Sequence, residues 1–227
     1  MYNFKYFKIL VILIVVFILF KTLKLYPFNN SVNKEENEGN NVHDLVKITV
    51  YYEALCPDSK FFILHQLVPV YKNLLTSMIL DLVPYGKAET FEEDGDYKFR
   101  CQHDAVECYA NKIHSCVINK IKEPYTQLQY IACMIDDNIR PDEVGQRCGN
   151  ELNIPFEPIK NCAKSKEGSL LLKSNGVRTH SLSPAVKFIP TIELNESQNI
   201  VPQSHILKDL IKAVCQLLKD KPNKCSD

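Results

Sequence analysis

The chain has 227 residues, and its 27 Lys and Arg side chains balance 27 Asp and Glu side chains, so the formal net charge at pH 7 is zero. Because the two signs are mixed along the sequence, the basic surface of a nucleic-acid-binding protein is excluded. The sequence also lacks internal repeats, a glycine-rich phosphate loop and a zinc-finger spacing of His and Cys.

The N-terminus carries a hydrophobic segment, residues 9–20, with lysines on both sides. It is shorter than the roughly 20 apolar residues that a membrane-spanning helix needs, and no small-x-small cleavage site follows it. Two alternatives stay open. Residues 1–28 are a cleaved signal peptide, or they are a signal anchor that makes the chain a single-pass type II membrane protein through residues 6–28. Both direct the chain into the secretory pathway.

Residues 29–44 are polar and rich in Asn and Glu, which predicts a disordered linker, because so few apolar side chains cannot offset the entropy of ordering. Residues 45–227 suffice for one domain with its own core, which we expect to be a monomer. Two Asn-x-Ser sequons, at Asn29 and Asn195, predict N-glycosylation and agree with secretion.

The domain opens with a strand–helix–strand pattern. Apolar and polar residues alternate over residues 46–52 and predict a half-buried strand. Residues 78–83 form a nearly continuous apolar run, which predicts a second, buried strand. Between them, apolar residues recur every three or four positions and predict one buried helix face: Phe61, Leu64, Val68, Tyr71 and Leu75. This order is typical of a parallel βαβ unit.

Cys56 lies at the junction of the first strand and this helix. Pro57 suits the first helical position, and Asp58 suits the first turn. The positive end of a helix stabilises a thiolate, and comparable cysteines have pKa values of about 3.5–7.5, although the Asp58 charge opposes this effect. Cys56 is therefore our candidate catalytic nucleophile.

Ser59 stands where a Cys-x-x-Cys motif has its second cysteine. In such a motif the second thiol attacks the mixed disulfide between the first thiol and the substrate, and so releases the substrate. A serine hydroxyl cannot form that bond. Release from Cys56 would need a thiol from the substrate or from solution.

The sequence has nine cysteines, and an odd number in an oxidising compartment leaves one thiol without a partner. We interpret Cys56 as that thiol, because it stands far before the cysteine-rich second half; a buried inert thiol or an intermolecular tether is the alternative. The others are predicted to form structural disulfides, with 105 connectivities open: Cys101, Cys108, Cys116, Cys133, Cys148, Cys162, Cys215 and Cys225.

Apolar residues recur at helical spacing over residues 104–122 and 127–137, and cysteines occur throughout this region. The pattern predicts a helical insertion, stapled by disulfides, at about residues 100–162. A further helix is predicted over residues 165–175, with Gly176 as a left-handed C-cap.

Residues 187–194 predict a strand in which Pro190 is unusual, because proline interrupts a central strand. It fits if the Ile189–Pro190 bond is cis and turns the chain beside the active thiol; a proline on an edge strand is the alternative.

Val201 and Pro202 are predicted to close a second short strand, after which Ser204 caps a C-terminal helix. The apolar face of that helix comprises Leu207, Leu210, Ile211, Val214 and Leu218.

The cysteine-rich segment resembles a known family. Residues 101–116 read Cys-Gln-His-Asp-Ala-Val-Glu-Cys-Tyr-Ala-Asn-Lys-Ile-His-Ser-Cys. This is similar to the signature Cys-Gln-His-Gly-x-x-Glu-Cys-x-x-Asn-x-x-x-x-Cys of the gamma-interferon-inducible lysosomal thiol reductase family, with Asp104 in place of the glycine. The Tyr-Tyr-Glu-Ala-Leu-Cys segment that ends at Cys56 and the Phe-Ile-Pro-Thr-Ile segment around Pro190 also resemble that family. The resemblance covers residues 46–218.

The resemblance implies a thioredoxin-like α/β fold that reduces protein disulfides at acidic pH in lysosomes, or acts after secretion. It implies that Cys56 is the nucleophile and that Pro190 is the substrate-positioning cis-proline. Asp104 departs from the signature at a local turn. Ser59 departs at the resolving position and therefore affects the reductase cycle itself.

The other polar residues of the signature are interpreted as structural. Gln102, Glu107 and Asn111 have the spacing to tie a helix start to its neighbours. His103 and His114 are interpreted as hydrogen-bonded structural residues, and His65 as a packing residue of the first helix.

Two functions remain in competition. The first is a monothiol protein-disulfide reductase or isomerase that acts on disulfide-containing proteins without a cofactor, with cysteine or glutathione as the external reductant. The second is a redox-inactive binding protein, secreted or tethered to a membrane, on the same fold, which Ser59 favours. A bound metal is not expected, because His and Cys pairs at ligand spacing are missing.

Overall fold

The computed structural model describes residues 13–17, 19, 21 and 45–225. Residues 13–17, 19 and 21 are helical, and within the described residues no helix is both long and apolar enough to cross a membrane. Most of the predicted signal segment 1–28 lies outside these residues, as do the predicted linker 29–44 and Asn29.

Residues 45–225 are organised around a mixed sheet in the order β2-β1-β5. Strand β1 (Val46–Tyr52) pairs in parallel with β2 (Met78–Pro84) and antiparallel with β5 (Thr191–Leu194). Strand β1 was predicted to be half-buried, and this is wrong: as the central strand it is buried along almost its whole length. The expected βαβ order is present.

The helical connection from β1 to β2 consists of α1 (Pro57–Phe62), a π-helical segment (Ile63–Leu67) and α2 (Val68–Asn73). The predicted buried face is wrong at its two ends, because Phe61 and Leu75 are exposed. The side chains packed in the core instead are Phe62, Ile63, Leu67, Val70 and Leu74. The π-helical segment inserts extra backbone into the turn, so the 3.6-residue period cannot predict which side chains face inward.

A two-stranded hairpin that was not predicted follows, with β3 (Glu89–Glu93) and β4 (Asp96–Arg100). Its strands are polar and largely exposed, so they lack the apolar alternation that indicates a strand. The turn residues Asp94 and Gly95 both have positive φ, and the Asp-Gly pair is a signal for such a hairpin.

Consecutive helices then cover the predicted insertion and its continuation, and α3 packs against both β2 and the last two helices of this group. They are α3 (Asp104–Lys120), α4 (Pro124–Asp136), α5 (Pro141–Leu152), α6 (Glu157–Lys164) and α7 (Lys166–His180).

Gly176 was predicted to end α7, and this is wrong, because the helix continues to His180. The reason for glycine is packing: a Cβ at Gly176 would lie 2.6 Å from Cε2 of Tyr85, a fully buried ring. Ser165 caps the start of this helix, where its hydroxyl accepts the N–H of Glu167.

The predicted second strand at Val201 and Pro202 is wrong, since no strand follows β5 in residues 195–225. The backbone groups of Ile192 on the edge of β5 form hydrogen bonds with the side-chain amide of Gln203 instead. This amide accepts the N–H of Ile192 at 2.9 Å and donates to the carbonyl of Ile192 at 2.6 Å. One side chain thus replaces a neighbouring strand.

The C-terminal helix begins two residues earlier than predicted, because Pro202 rather than Ser204 occupies its N-cap position. It is interrupted at Asp209, which gives α8 (Gln203–Lys208) and α9 (Leu210–Cys215). Its apolar side chains complete the core around the sheet.

Candidate active site

Cys56 lies between β1 and α1. Its backbone is extended, and its carbonyl accepts the N–H of Lys60 at 3.0 Å, so it occupies the N-cap position of α1. The residue is 9% exposed, and Sγ lies 3.9 Å from the carbonyl oxygen of Ile189. Within residues 45–225, Cys56 is the free cysteine. Strand and helix therefore hold one thiol at a fixed point with limited access to solvent.

Ser59 is fully buried in α1, close to one turn after Cys56. Its hydroxyl accepts the backbone N–H of Glu53 at 3.3 Å. The position of a second motif cysteine is thus occupied by a side chain that holds the loop before Cys56.

Pro190 directly precedes β5, and the Ile189–Pro190 peptide bond is cis. Because the Ile189 carbonyl is the group that contacts the sulfur of Cys56, the structure places the Pro190 segment beside the free thiol.

Helix α3, which carries the cysteine-rich signature, supports the loop that leads to Cys56. Asn111 Oδ1 accepts the N–H of Ala54 at 3.0 Å, and Glu107 Oε2 accepts the N–H of Leu55 at 3.3 Å. The four-residue spacing places Glu107 and Asn111 on one helix face. Glu107 and Asn111 were predicted to tie the helix to a neighbouring segment, and that segment is the loop before Cys56. Gln102, which was predicted to have the same role, is exposed.

His114 continues this support in the core. Its Nδ1 lies 3.1 Å from the hydroxyl of Tyr52, and its Nε2 lies 3.3 Å from Nδ2 of Asn138, which also donates to the carbonyl of Ala54. Since the Asn138 amide nitrogen is a donor, Nε2 accepts and Nδ1 carries the proton. Burial lowers the pKa of His114 to about 3, so the ring is neutral.

His103 lies at the start of α3 between two buried carboxylates. Its Nδ1 is 2.6 Å from Glu107 Oε2 and 3.8 Å from Glu53 Oε2. Burial is the main cause that raises the pKa of Glu53, and the nearby charge of Glu107 acts in the same direction. His65, in contrast, is exposed and contacts the ring of Phe61.

Comparison with known proteins places this site in a family. A family model described as gamma interferon inducible lysosomal thiol reductase (GILT) matches residues 47–152. The chain is 36% identical over 198 residues to the gamma-interferon-inducible lysosomal thiol reductase-like protein of Anopheles gambiae, covering 80% of this chain and 80% of that protein. This chain belongs to the GILT family. It is also 30% identical over 188 residues to the gamma-interferon-inducible lysosomal thiol reductase of Mus musculus, covering 80% and 72% of the two chains.

Solved structures bear on the fold. The reduced form of the disulfide bond oxidoreductase DsbG of Mycobacterium tuberculosis aligns with a TM-score of 0.55 and 15% identity, covering 80% of this chain and 82% of that one. The predicted thioredoxin-like fold is confirmed.

The structure pairs the remaining cysteines of this GILT-family chain, and most of the bridges hold the helical layer. The pairs are Cys101–Cys108, Cys116–Cys162, Cys133–Cys148 and Cys215–Cys225. The first pair closes the turn that carries His103.

Asp104 replaces the glycine of the GILT signature and has a φ of 64°, in the left-handed region that favours glycine. Aspartate tolerates this conformation better than most residues. The departure therefore leaves the local turn in the conformation that a glycine readily adopts.

Glu53 is the site residue that the sequence analysis missed. It follows β1, lies three positions before Cys56 and is buried. A glutamate at the end of an otherwise apolar buried strand is a signal for a polar site, because a carboxylate is rarely buried without a partner.

Proposed function

We propose that this GILT-family chain is a monothiol oxidoreductase that acts on protein disulfides, with Cys56 as the nucleophile. The observation that carries the proposal is the free thiol of Cys56 at the start of α1, with Ser59 buried in the position of a second motif cysteine. The thiol reductase family and the oxidoreductase-like fold both support it.

The thiolate of Cys56 attacks one sulfur of a substrate disulfide. A mixed disulfide between Cys56 and the substrate forms, and the other substrate sulfur leaves as a thiolate. A small thiol such as cysteine or glutathione, acting as its thiolate, then attacks the sulfur of Cys56 and releases the second substrate thiolate. A second small thiol regenerates Cys56. In sum, one substrate disulfide is reduced to two thiols while two small thiols are oxidised to one disulfide.

Isomerisation needs no net reductant. A different thiol of the same substrate attacks the mixed disulfide and expels the thiolate of Cys56, so that a new substrate disulfide forms. We propose that Pro190 positions the substrate in either reaction, because its segment contacts the sulfur of Cys56 through the Ile189 carbonyl.

The test is reduction of a disulfide-containing protein such as insulin at acidic pH, with and without excess cysteine. The wild type is expected to need added thiol, and Cys56→Ser to be inactive. Ser59→Cys should gain turnover at low thiol concentration, because a second thiol one turn away can resolve the mixed disulfide. Ser77→Cys, which adds a thiol at another buried serine, is the matched control. Equal rates for the wild type and Cys56→Ser would refute the proposal.

The buried Ser59 also favours a second candidate, a binding protein that keeps the fold without turnover. Incubation with a reduced, unfolded protein and an oxidant, followed by non-reducing electrophoresis, separates the two. A mixed disulfide that the wild type forms and Cys56→Ser does not supports the oxidoreductase. A Cys56 that resists alkylation in the native protein supports the binding protein.

We further propose a secretory destination, lysosomal or extracellular, because the mouse relative carries the word lysosomal in its name. Asn195 is exposed in a turn, and its Oδ1 accepts the N–H of Lys47, which leaves the amide nitrogen at the surface for a glycan. Loss of a glycosidase-sensitive mobility shift in Asn195→Gln and Asn29→Gln tests both sequons.

A further inference from the structure

We propose that Glu53, Glu107 and His103 form a binding site for a divalent transition-metal ion, with Zn²⁺ as the ion that the donor set fits best. One ligand atom from each residue lies within 4.8 Å of the others. The site does not depend on the redox activity of Cys56, although it lies directly behind the loop that carries this cysteine.

The carboxylate of Glu53 is held in a fixed position. Its Oε1 accepts the N–H of Lys87 at 2.7 Å. Gly86 has a φ of 63°, and a Cβ at this residue would overlap the Glu53 side chain. The chain therefore makes room for this carboxylate beneath the turn after β2.

The other oxygen of Glu53 has no compensating bond. The side chain is 1% exposed, and Oε2 is buried without a hydrogen-bond partner among the described residues. An unpaired buried carboxylate oxygen is costly, and such a group in a native structure calls for an explanation, such as an ion. Oε2 faces His103, the third member of the cluster, at 3.8 Å.

Glu107 and His103 are oriented in the same way. Glu107 is 0% exposed, its Oε1 accepts the backbone N–H of His103 at 3.1 Å, and its Oε2 accepts the N–H of Leu55. Backbone bonds of this kind around potential ligands are what orients metal-binding carboxylates. The side chain of His103 is 40% exposed and closes the cluster on its solvent side.

The donor set selects the ion. Two carboxylate oxygens and one imidazole nitrogen are ligands of Zn²⁺ sites with three protein groups, in which water takes the fourth position. Ca²⁺ needs 6–8 oxygen ligands, and Mg²⁺ needs an octahedral oxygen shell. Metal ligands bind in their deprotonated forms, so in the bound state the two carboxylates would supply two negative charges to a divalent ion.

Binding of the ion would change the position of the proton on His103. The short contact between His103 Nδ1 and Glu107 Oε2 is a hydrogen bond in this structure. The ion would take the place of the proton between these two atoms, and the neutral imidazole of His103 would then carry its proton on Nε2, so this exchange releases no proton. The ligands come from two distant segments, Glu53 on one and His103 and Glu107 on the other, so no ligand spacing within either segment predicts the site.

The experiment is a calorimetric titration of the full chain with Zn²⁺ at neutral pH, in the Cys56→Ser background so that the free thiol cannot bind the metal. We expect one Zn²⁺ per chain and a melting temperature that rises with Zn²⁺ concentration, because the ion binds the folded state. His103→Gln should weaken Zn²⁺ binding by about 10-fold to 100-fold or more, because loss of a residue that merely hydrogen-bonds to a metal ligand already lowers metal affinity by this amount.

His65→Gln is the matched control, since His65 is an exposed histidine outside the cluster. It should bind Zn²⁺ like the parent. Because His103 is partly exposed, the His103→Gln variant is expected to fold. Glu53→Gln is a second variant. It should lose Zn²⁺ binding while its far-ultraviolet circular dichroism spectrum matches that of the parent. Absence of one-to-one binding in the Cys56→Ser protein, or unchanged affinity in His103→Gln, would overturn the proposal without affecting the reductase assay.

Discussion

The side-chain oxygen of Asn111 accepts the backbone N–H of Ala54 at 3.0 Å, which ties the middle of α3 to the loop that ends at Cys56. Glu107, one turn earlier, holds Leu55 in the same way. The cysteine-rich signature and the Cys56 motif are therefore one structural unit, although they are far apart in sequence. The signature residues act through the backbone of the nucleophile loop.

The first prediction concerns this bond. Asn111→Ala leaves the buried N–H of Ala54 without an acceptor, and we expect the free energy of unfolding to fall by about 1–3 kcal/mol. The loop before Cys56 should also loosen, so that alkylation of Cys56 in the native protein becomes faster. Urea unfolding and the rate of iodoacetamide labelling measure the two effects.

Asn119→Ala is the matched control, because Asn119 is on the same helix and donates to Glu167 at the surface. Its effect should stay within about 0.5 kcal/mol. Similar losses in both variants would show that the bond to Ala54 has no special role.

Several parts of this fold could be predicted because the signals are local. The two apolar runs around Cys56 gave the βαβ order, and the periodicity of residues 104–122 gave the main helix of the insertion. The odd cysteine count pointed to Cys56 as the unpaired thiol. The first two inferences need only neighbours in the sequence, and the third needs only a count of the cysteines.

Several of the errors are caused by contacts between segments that are separated in the sequence. The edge of β5 is closed by the side chain of Gln203, so no second strand is needed at Val201. Gly176 is required by the ring of Tyr85 rather than by a helix end. The meeting of Glu53 with His103 likewise depends on folding of the intervening chain, which periodicity cannot report.

The second prediction compares two glycines with positive φ. Gly95→Ala, at a φ of 73° with no described atom within 4 Å of the new Cβ, should cost about 1–2 kcal/mol for the left-handed backbone alone. Gly86→Ala, at a φ of 63°, carries the same backbone term and also overlaps Glu53, so overpacking should add about 1–3 kcal/mol. Chemical unfolding of the two variants measures the difference. Equal losses would mean that the Glu53 carboxylate moves aside without cost.

The third prediction concerns the disulfides. Cys116 and Cys162 are 46 residues apart, whereas Cys215 and Cys225 are 10 residues apart. From the loss of chain entropy in the unfolded state, the disulfide that closes the longer loop is expected to stabilise the fold by about 4 kcal/mol, and the one that closes the shorter loop by about 3 kcal/mol. Replacing both cysteines of a pair by alanine should therefore destabilise the chain more at the Cys116 pair, as measured by thermal or urea unfolding. The opposite order would show that native packing, rather than loop length, determines the effect.

The fourth prediction concerns pH and His114. Its pKa is lowered to about 3 in the folded chain from an ordinary value of 6.5, and burial is the cause. Below pH 6.5 His114 binds a proton in the unfolded chain but stays neutral in the folded chain, so the free energy of unfolding falls as the pH is lowered from 6.5 towards 3. The loss is about 1.4 kcal/mol per pH unit, or about 2 kcal/mol by pH 5.

His114→Gln removes this titration but keeps polar atoms near Tyr52 and Asn138. At pH 7 the variant should be less stable than the wild type, because the fit of the imidazole between these two residues is lost. Between pH 7 and pH 5, however, the variant should lose about 2 kcal/mol less than the wild type. Urea unfolding at the two pH values measures this, with His65→Gln as the control that should follow the wild-type profile. Parallel profiles for the wild type and His114→Gln would show that His114 becomes protonated in the folded chain, in which case its buried contacts with Tyr52 and Asn138 must rearrange around an imidazolium.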